Sequence, residues 1–412
     1  MVECWLPYGK GEVHVSVPLR NLLGTVEPNA GQPVLNPRET ILNSIREPGV
    51  SGKLSDLVKP GAKVSVAIDG SMTSKLAASA LSCVVENLLQ NGVSKENISI
   101  IVGNGLRGRG DAERTKDLQA LEGMRSIRLV EHSRGTENIT GIGTTSRGTE
   151  VEISSPFVEA DVRIVVGEVL VDHFVGLRGA QNTIIPAISG RATIEHNRSL
   201  SFRGDEAPGV ILENQIYADG MEAAKMAGVD LAVNLVTNGR GELVAAFSGG
   251  LEESWGEALK ALGESYKVSA KANADVIVVS AGGSRFDYDL YNSVWALSSV
   301  AKIAKKGATI ILLAECPEGL GADGLSTLSQ VETLSELRRR YMLGAKAIYL
   351  IKSVLRRNEV VLVSALPSYL AEPLGLSVER TANEALRNVF SRRRGKQTLV
   401  VTHGCSTVPY VS

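Results

Sequence analysis

The sequence predicts an α/β protein of two doubly wound α/β domains, with the site in the cleft between them. Three observations carry that expectation. Short β-branched runs such as Lys63-Val-Ser-Val-Ala-Ile-Asp69 and Ala274-Asp-Val-Ile-Val-Val-Ser280 recur along the chain, each ending in a small or polar turn that leads into a helical pattern. That alternation is what parallel strands covered on both faces by crossover helices require. A chain of 412 residues exceeds one ordinary core and divides into about two domains. Finally, 43% hydrophobic and 22% charged residues with 42 glycines describe a globular chain with many tight turns.

The same numbers exclude several function classes. A net charge of -1 argues against nucleic acid or an anionic membrane as a partner recognised by bulk electrostatics. The longest apolar runs, such as Ala308–Ala314, fall far short of the roughly 20 residues that cross a bilayer. The first residues have neither a basic nor an apolar leader segment, so a cytoplasmic location is expected. Cys4, Cys83, Cys316 and Cys405 form no C-x-x-C pair. Buried reduced thiols are expected rather than a disulfide framework or structural metal site.

Taken in order, Gly11-Glu-Val-His-Val-Ser-Val alternates as a half-wet strand with His14 on its polar face. Residues 25–50 read as an irregular arm in which Asn36 caps a short helix. Lys63–Asp69 is a strand, Gly70-Ser-Met-Thr-Ser a turn without P-loop spacing, and the amphipathic stretch through Leu89 a helix. Asn97–Val102 is the next strand and runs into Gly103-Asn-Gly-Leu-Arg-Gly-Arg-Gly110. As a dinucleotide fingerprint that loop is weak, because its helix starts late and no acidic ribose partner follows; as a strand-end loop it offers Arg107 and Arg109. Residues 126–155 read as short strands and a hairpin-like excursion, with His132 expected at the surface. Asp161–Val166 is a buried central strand that ends at Gly167.

Beyond it, Gly209–Asn214 leads into a helix over 216–227, two strands follow at Asp230–Val236 and Leu243–Ser248, and a helix begins at Ser254. The expected domains are 1–270 and 271–412. In the second, Ala274–Ser280 is a strand, Tyr291 opens a helix through Lys302, and Ala308–Ala314, Ala347–Ile351 and Val360–Val363 read as further strands. The basic run from Ser391 to Lys396 reads as a solvated helix end. The last strand, 397–403, is free to pair with either domain.

The stretch Gly167–Leu200 is the expected working part. It follows a buried strand and holds Asp172, His173, Arg178, Gln181, Asn182, His196, Asn197 and Arg198, with two of the chain's five histidines. Ligands of open α/β sheets sit beyond the carboxyl ends of the strands.

With these residues in hand, the chain resembles the lactate racemase family, the nickel-pincer racemases and epimerases of small 2-hydroxy acids, through nearly its whole length. The likeness rests on Ala67-Ile-Asp69, Gly103-Asn-Gly-Leu-Arg107, Gly143-Thr-Thr-Ser-Arg-Gly-Thr-Glu-Val, Glu159–Gly167, Gly176–Asn197 and Ser280-Ala-Gly-Gly with Asp287 and Tyr291. The resemblance implies a nicotinate-derived cofactor tethered to a lysine, nickel held by that cofactor and a histidine, and two histidines that exchange a proton. On this chain those positions are altered. Asn182 stands at the anchoring lysine, four residues before Pro186, and an amide cannot form the covalent link. Arg198 stands at the nickel histidine and stays protonated. Arg107 stands at the first acid/base histidine and Asp172 at the second, with His173 adjoining it. Met72 replaces an arginine and Trp295 a lysine, whereas Asp69 and Tyr291 are kept and Asn292 is a shorter amide.

Three readings follow. In the first, the chain is an isomerase or related enzyme acting on a small anionic hydroxy or sugar acid. Asp172 and His173 then form the acid/base pair with Arg107, and Arg198, Arg178, Asn182, Asp69, Tyr291 and Asn292 line the anion site, with no metal ligand and the cofactor left unassigned. In the second, a non-catalytic protein binds or senses an anionic metabolite on the same clamp. In the third, the family's activity persists with an untethered cofactor and His173 or His196 as ligand. A homo-oligomer is compatible with each.

Overall fold

The computed structural model describes all residues except 30, 50–51, 108–111, 122, 205–207, 332, 393–394 and 412. Arg109 and part of the basic run after Ser391 therefore lie outside the described residues. Two compact units make up the chain: unit 1 is Met1–Asn29, Val171–His173 and Ser265–Ser412, and unit 2 is Ala30–Leu170 and Phe174–Glu264. Unit 1 begins with β1 (Val2–Tyr8), β2 (Gly11–Val17) and β3 (Leu22–Val26). Unit 2 follows with β4 (Val64–Asp69), β5 (Ile98–Asn104), β6 (Arg128–Ser133), β7 (Ile139–Thr144), β8 (Glu150–Ser154), β9 (Val162–Asp172), β10 (Gly176–Arg178), β11 (Leu231–Thr237) and β12 (Leu243–Gly249). The chain then returns to unit 1 with β13 (Lys267–Ser269), β14 (Ala274–Ser280), β15 (Ala304–Leu313), β16 (Glu359–Val363), β17 (Ser377–Glu379), β18 (Thr398–Val401) and β19 (Val408–Tyr410).

The sheet of unit 2 runs β12-β11-β9-β4-β5-β6, with β10 on β9. Along the path from β12 to β6 the pairings are parallel except that of the edge strand β12. The chain starts at β4, moves outward to β5 and β6, and returns to β9 on the other side of β4. The strand order therefore reverses between β4 and β9, where doubly wound folds open a crevice at the carboxyl ends. The helix Ser74–Gln90 shows how one face is covered. Thr73 caps it by accepting from the Leu76 amide, and Leu76, Ala80, Leu81, Val84 and Leu88 are buried at helical spacing. They join Val64, Val66, Ile98 and Ile100 in one apolar cluster, each large side chain contributing about 1.5–3 kcal/mol by leaving water.

The predicted central strand is longer than the sequence suggests. β9 runs eleven residues to Asp172 and is buried almost throughout. Gly167 does not end it: Gly167 pairs with Asn234 of β11, and a Cβ there would fall 2.5 Å from Ala180 Cα. The glycine serves close approach of the following segment, not a turn.

In unit 1 the sheet order is β17-β16-β15-β14-β18-β3, parallel throughout, with its own reversal between β14 and β18. The last strand pairs within this unit, with β14 and β3. The cut at residue 270 expected from the sequence falls after Glu264, and the first 29 residues belong with the C-terminal unit. The reason is packing. Leu6, Val15 and Val17 of the β1–β2 hairpin share a core with Val276, Ile311 and Val400. The hairpin turn is also pinned by Asp287, which is wholly buried and accepts from the Gly9 amide at 2.8 Å; burial pushes its carboxyl pKa up.

Ala347–Ile351, expected as a strand, lies in the helix Ala345–Leu355. Its buried positions, Ala345, Ala347, Ile348, Ile351 and Val354, recur at helical period, and the apolar run alone does not distinguish the two. All four cysteines are buried and free. No helix among the described residues is long and apolar enough to cross a membrane.

Candidate functional site

In unit 2, the residues singled out from the sequence gather at the carboxyl ends of β4 and β5 and in the segment after β9. Asp69 ends β4. One of its oxygens accepts from the Ser71 amide at 2.8 Å and the other stands 3.9 Å from Nη1 of Arg178, which ends β10. Arg107 is half-buried, just past β5. Gly103 and Gly105 bring this loop onto the 186–187 backbone, with the Gly105 amide donating to the Ala187 carbonyl at 2.9 Å.

Asn182 turns its amide back onto its own turn. It is 4% exposed; its Oδ1 accepts from the Gly179 amide at 3.0 Å and its Nδ2 donates to the Ile185 carbonyl at 3.4 Å. The side chain thereby holds together the turn of Ala180–Thr183. The neighbouring Gln181 differs: it is 2% exposed, and both its amide oxygen and nitrogen lack a hydrogen-bond partner among the described residues. The sequence places Gln181 among the polar groups of this stretch but gives no ground for preferring it to Asn182.

Arg198, on the helix Arg191–Ser199, is the most unusual group of the unit. Only 2% exposed, it sets its guanidinium carbon 4.3 Å from the centre of the Phe174 ring, and Nε and Nη1 have no hydrogen-bond partner among the described residues. The ring face offers a cation up to about 2 kcal/mol. Removing a charge from water costs several, so a buried guanidinium that no carboxylate among the described residues pairs calls for an anion.

His196, two residues earlier, turns elsewhere. Its Nδ1 lies 2.8 Å from Thr149 Oγ1, which donates to the wholly buried Asp219 at 2.7 Å. Thr145 and Asn197 bond the same carboxylate. His132, expected at the surface, is wholly buried, with Nε2 3.0 Å from the Ser189 carbonyl. Burial lowers its pKa against that carbonyl's pull.

In unit 1, Asp172 closes β9 and His173 follows it; both are half-buried. The His173 ring stacks on Trp295, with centroids 6.0 Å apart and planes 21° apart, and its Nδ1 lies 2.6 Å from Ser298 Oγ. Tyr291, 1% exposed, meets Trp295 edge-on at 6.0 Å. Asn292 turns inward: its amide nitrogen and Nδ2 both donate to Asp289 Oδ1, at 2.8 and 2.9 Å, so Asp289 caps the turn Leu290–Ser293. Trp295 and Ser298 complete this group. The sequence names Trp295 only as a replaced lysine, and Ser298 carries no signal of its own.

Burial pushes the His173 imidazole from 6.5 down to about 4, opposed by the Asp172 charge and the Cys405 backbone. The ring is therefore neutral at physiological pH. An unfolded histidine takes its proton near 6.5, whereas the folded one resists until about 4. The folded state is thus fully favoured above 6.5, and stability falls as pH drops from 6.5 towards 4. Each such histidine steepens that fall by at most one proton, about 1.4 kcal/mol per pH unit. Urea unfolding of wild type and His173→Gln across this window is expected to show a shallower slope for the variant; equal slopes would mean that His173 titrates alike in both states.

The family model described as the lactate racemase N-terminal domain matches residues 8–208, and that described as the lactate racemase C-terminal domain matches residues 269–408. The lactate racemase of Thermoanaerobacterium thermosaccharolyticum is 27% identical over 329 residues, covering 79% of this chain and 77% of that protein. The lactate racemase of Lactiplantibacillus plantarum is 23% identical over 425 aligned positions, 99% of this chain and 100% of that protein. Among solved structures, the lactate racemase apoprotein of T. thermosaccharolyticum superposes with a TM-score of 0.84 at 22% identity, covering 99% of this chain and 100% of that one. A Thermotoga maritima protein superposes with a TM-score of 0.71 at 12% identity, covering 93% and 100%.

Proposed function

The chain belongs to the lactate racemase family, and from that premise we propose that it is a racemase-like isomerase of a small anionic hydroxy or sugar acid that works without a lysine-tethered nickel-pincer cofactor. The observation that carries the anionic substrate is Arg198, a buried guanidinium with two nitrogens that have no hydrogen-bond partner among the described residues. A carboxylate supplies the missing acceptors in the planar, two-pronged geometry that guanidinium matches.

The residues at the family's cofactor positions do not fit the group. Asn182 offers an amide that its own turn consumes, and Arg198 offers a cation where nickel needs a lone pair. No step is therefore assigned to that group. Arg198 and Arg107 are the proposed carboxylate binders of unit 2, and His173 of unit 1, neutral and beside Asp172, is the proposed acceptor of the proton from carbon 2. The electron pair of the broken C–H bond moves into the carboxylate. A solvent-derived proton returned to the opposite face inverts the centre, and His173 releases its own proton to solvent.

The test is solvent exchange. Each enantiomer of lactate, glycerate and a panel of sugar acids, incubated with the enzyme in deuterated water, is expected to exchange the carbon-2 proton with inversion for the true substrate. A ligand that binds saturably and is recovered unchanged would make the chain a binding or sensor protein instead. Stoichiometric nickel, or an added cofactor mass, in protein made alongside the nickel-cofactor synthesis enzymes would overturn the reading of Asn182 and Arg198.

A further inference from the structure

We propose that Ser298 is the positioning residue of His173, fixing its imidazole as the Nδ1–H tautomer so that Nε2 is the atom that receives a proton. The inference rests on the reading of His173 as the proton acceptor, and adds the group that decides which nitrogen performs the role.

A serine hydroxyl has one proton to give and two lone pairs to offer. Ser298 lies within bonding distance of two groups: Oγ is 2.8 Å from the Trp295 carbonyl and 2.6 Å from His173 Nδ1. The carbonyl can only accept, so the hydroxyl proton goes to it, one turn back along the helix Trp295–Ala301. The bond to Nδ1 then has to run the other way, with Nδ1–H donating to Oγ. In a neutral ring that leaves Nε2 unprotonated.

The alternative tautomer is worse because, to donate to a bare Nδ1, Ser298 must abandon the Trp295 carbonyl. Stacking on Trp295 fixes the ring plane, and the hydroxyl selects its protonation. The groups facing the ring are Asp172 on its own strand, Trp295 and Ser298 on the helix, and the Cys405 backbone beyond β18. Asp172 and Cys405 favour a proton on the ring, and burial opposes it.

The experiment is long-range 15N–1H NMR at pH 7 on full-length protein labelled at its five histidines, with the His173 signals assigned by their loss in His173→Gln. Wild type is expected to show a pyrrole-type Nδ1 and a pyridine-type Nε2. In Ser298→Ala, loss of one neutral hydrogen bond is expected to move the tautomer ratio about fivefold towards Nε2–H, and Ser298→Thr, which keeps the hydroxyl, to restore it. A wild-type ring protonated at Nε2, or an unchanged ratio in Ser298→Ala, overturns the assignment, and the wild-type spectrum decides even if a variant fails to fold. The measurement needs no turnover. The stated tautomer in a protein that exchanges no substrate proton would retire the isomerase reading alone.

Discussion

Arg198→Met leaves the ligand-free protein at least as stable as wild type and abolishes its stabilisation by carboxylates. For most buried arginines the reverse holds, because removal strands a partner carboxylate. Among the described residues no carboxylate pairs with Arg198, which is 2% exposed, packs on Phe174 and leaves Nε and Nη1 without hydrogen-bond partners there. Methionine keeps much of the volume and removes a buried charge. Replacing buried ionic groups by apolar ones of similar size is worth up to about 1–4 kcal/mol, and each kcal/mol raises Tm by roughly 2–4 °C in a unit of this size. Wild type, in turn, is expected to gain about 2.7 kcal/mol at a carboxylate concentration of 100 Kd, and the variant nothing. Thermal melts with lactate, gluconate and phosphate read both effects together. A variant more than about 2 kcal/mol less stable than wild type, or one whose response to carboxylates persists, would remove the anion role from Arg198.

Gly105→Ala is expected to be among the most damaging single-methyl additions in unit 2. A Cβ on Gly105 would lie 1.8 Å from the Pro186 carbonyl oxygen, and one on Gly103 would lie 2.7–2.8 Å from Ala187 atoms, largely backbone. Neither contact is with a flexible side-chain tip, so relief requires that two chain segments part and that the bond from Gly105 to the Ala187 carbonyl break. A loss of about 3–4 kcal/mol or more is expected, at the far end of what point substitutions cause. Gly220→Ala provides the contrast. That glycine sits inside the helix Gln215–Met226 with nothing within 4 Å of the added carbon, and helix propensity predicts a gain of about 0.5–1 kcal/mol. Urea unfolding of both variants measures the difference; near-equal midpoints would show that the 103–105 loop yields easily.

The fold was legible because buried parallel strands write themselves as short β-branched runs. Lys63–Asp69 and Ala274–Ser280 were read within a residue or two. Ala347–Ile351 was not, since an apolar run of five carries no period long enough to separate strand from helix. The membership of the first 29 residues in unit 1 was hidden for another reason. It depends on pairing between β3 and β18, at the two ends of the chain, and no local pattern encodes a partner so distant. At the site, residue types were readable through family likeness, but their engagement was not. Asn182 and Asn292 look like ligand amides in the sequence, yet each bonds its own turn, whereas Gln181 next door keeps both polar atoms unmatched. Such accounting exists only once the backbone has folded.

The β3–β18 pairing also sets a timetable. Val26 and Thr402 are bonded across 376 residues of sequence, and ribosomes extend a chain at about 5–20 residues per second. An apolar strand that ends as a sheet edge therefore waits some 20–75 s for its neighbour to be synthesised, while unit 2 has all its residues available earlier. During that interval the N-terminal hairpin and strand are exposed to the cell with their pairing edge open. Recovery of intact protein on overexpression should accordingly respond to translation speed and to chaperone supply more than the stability of the finished fold would suggest.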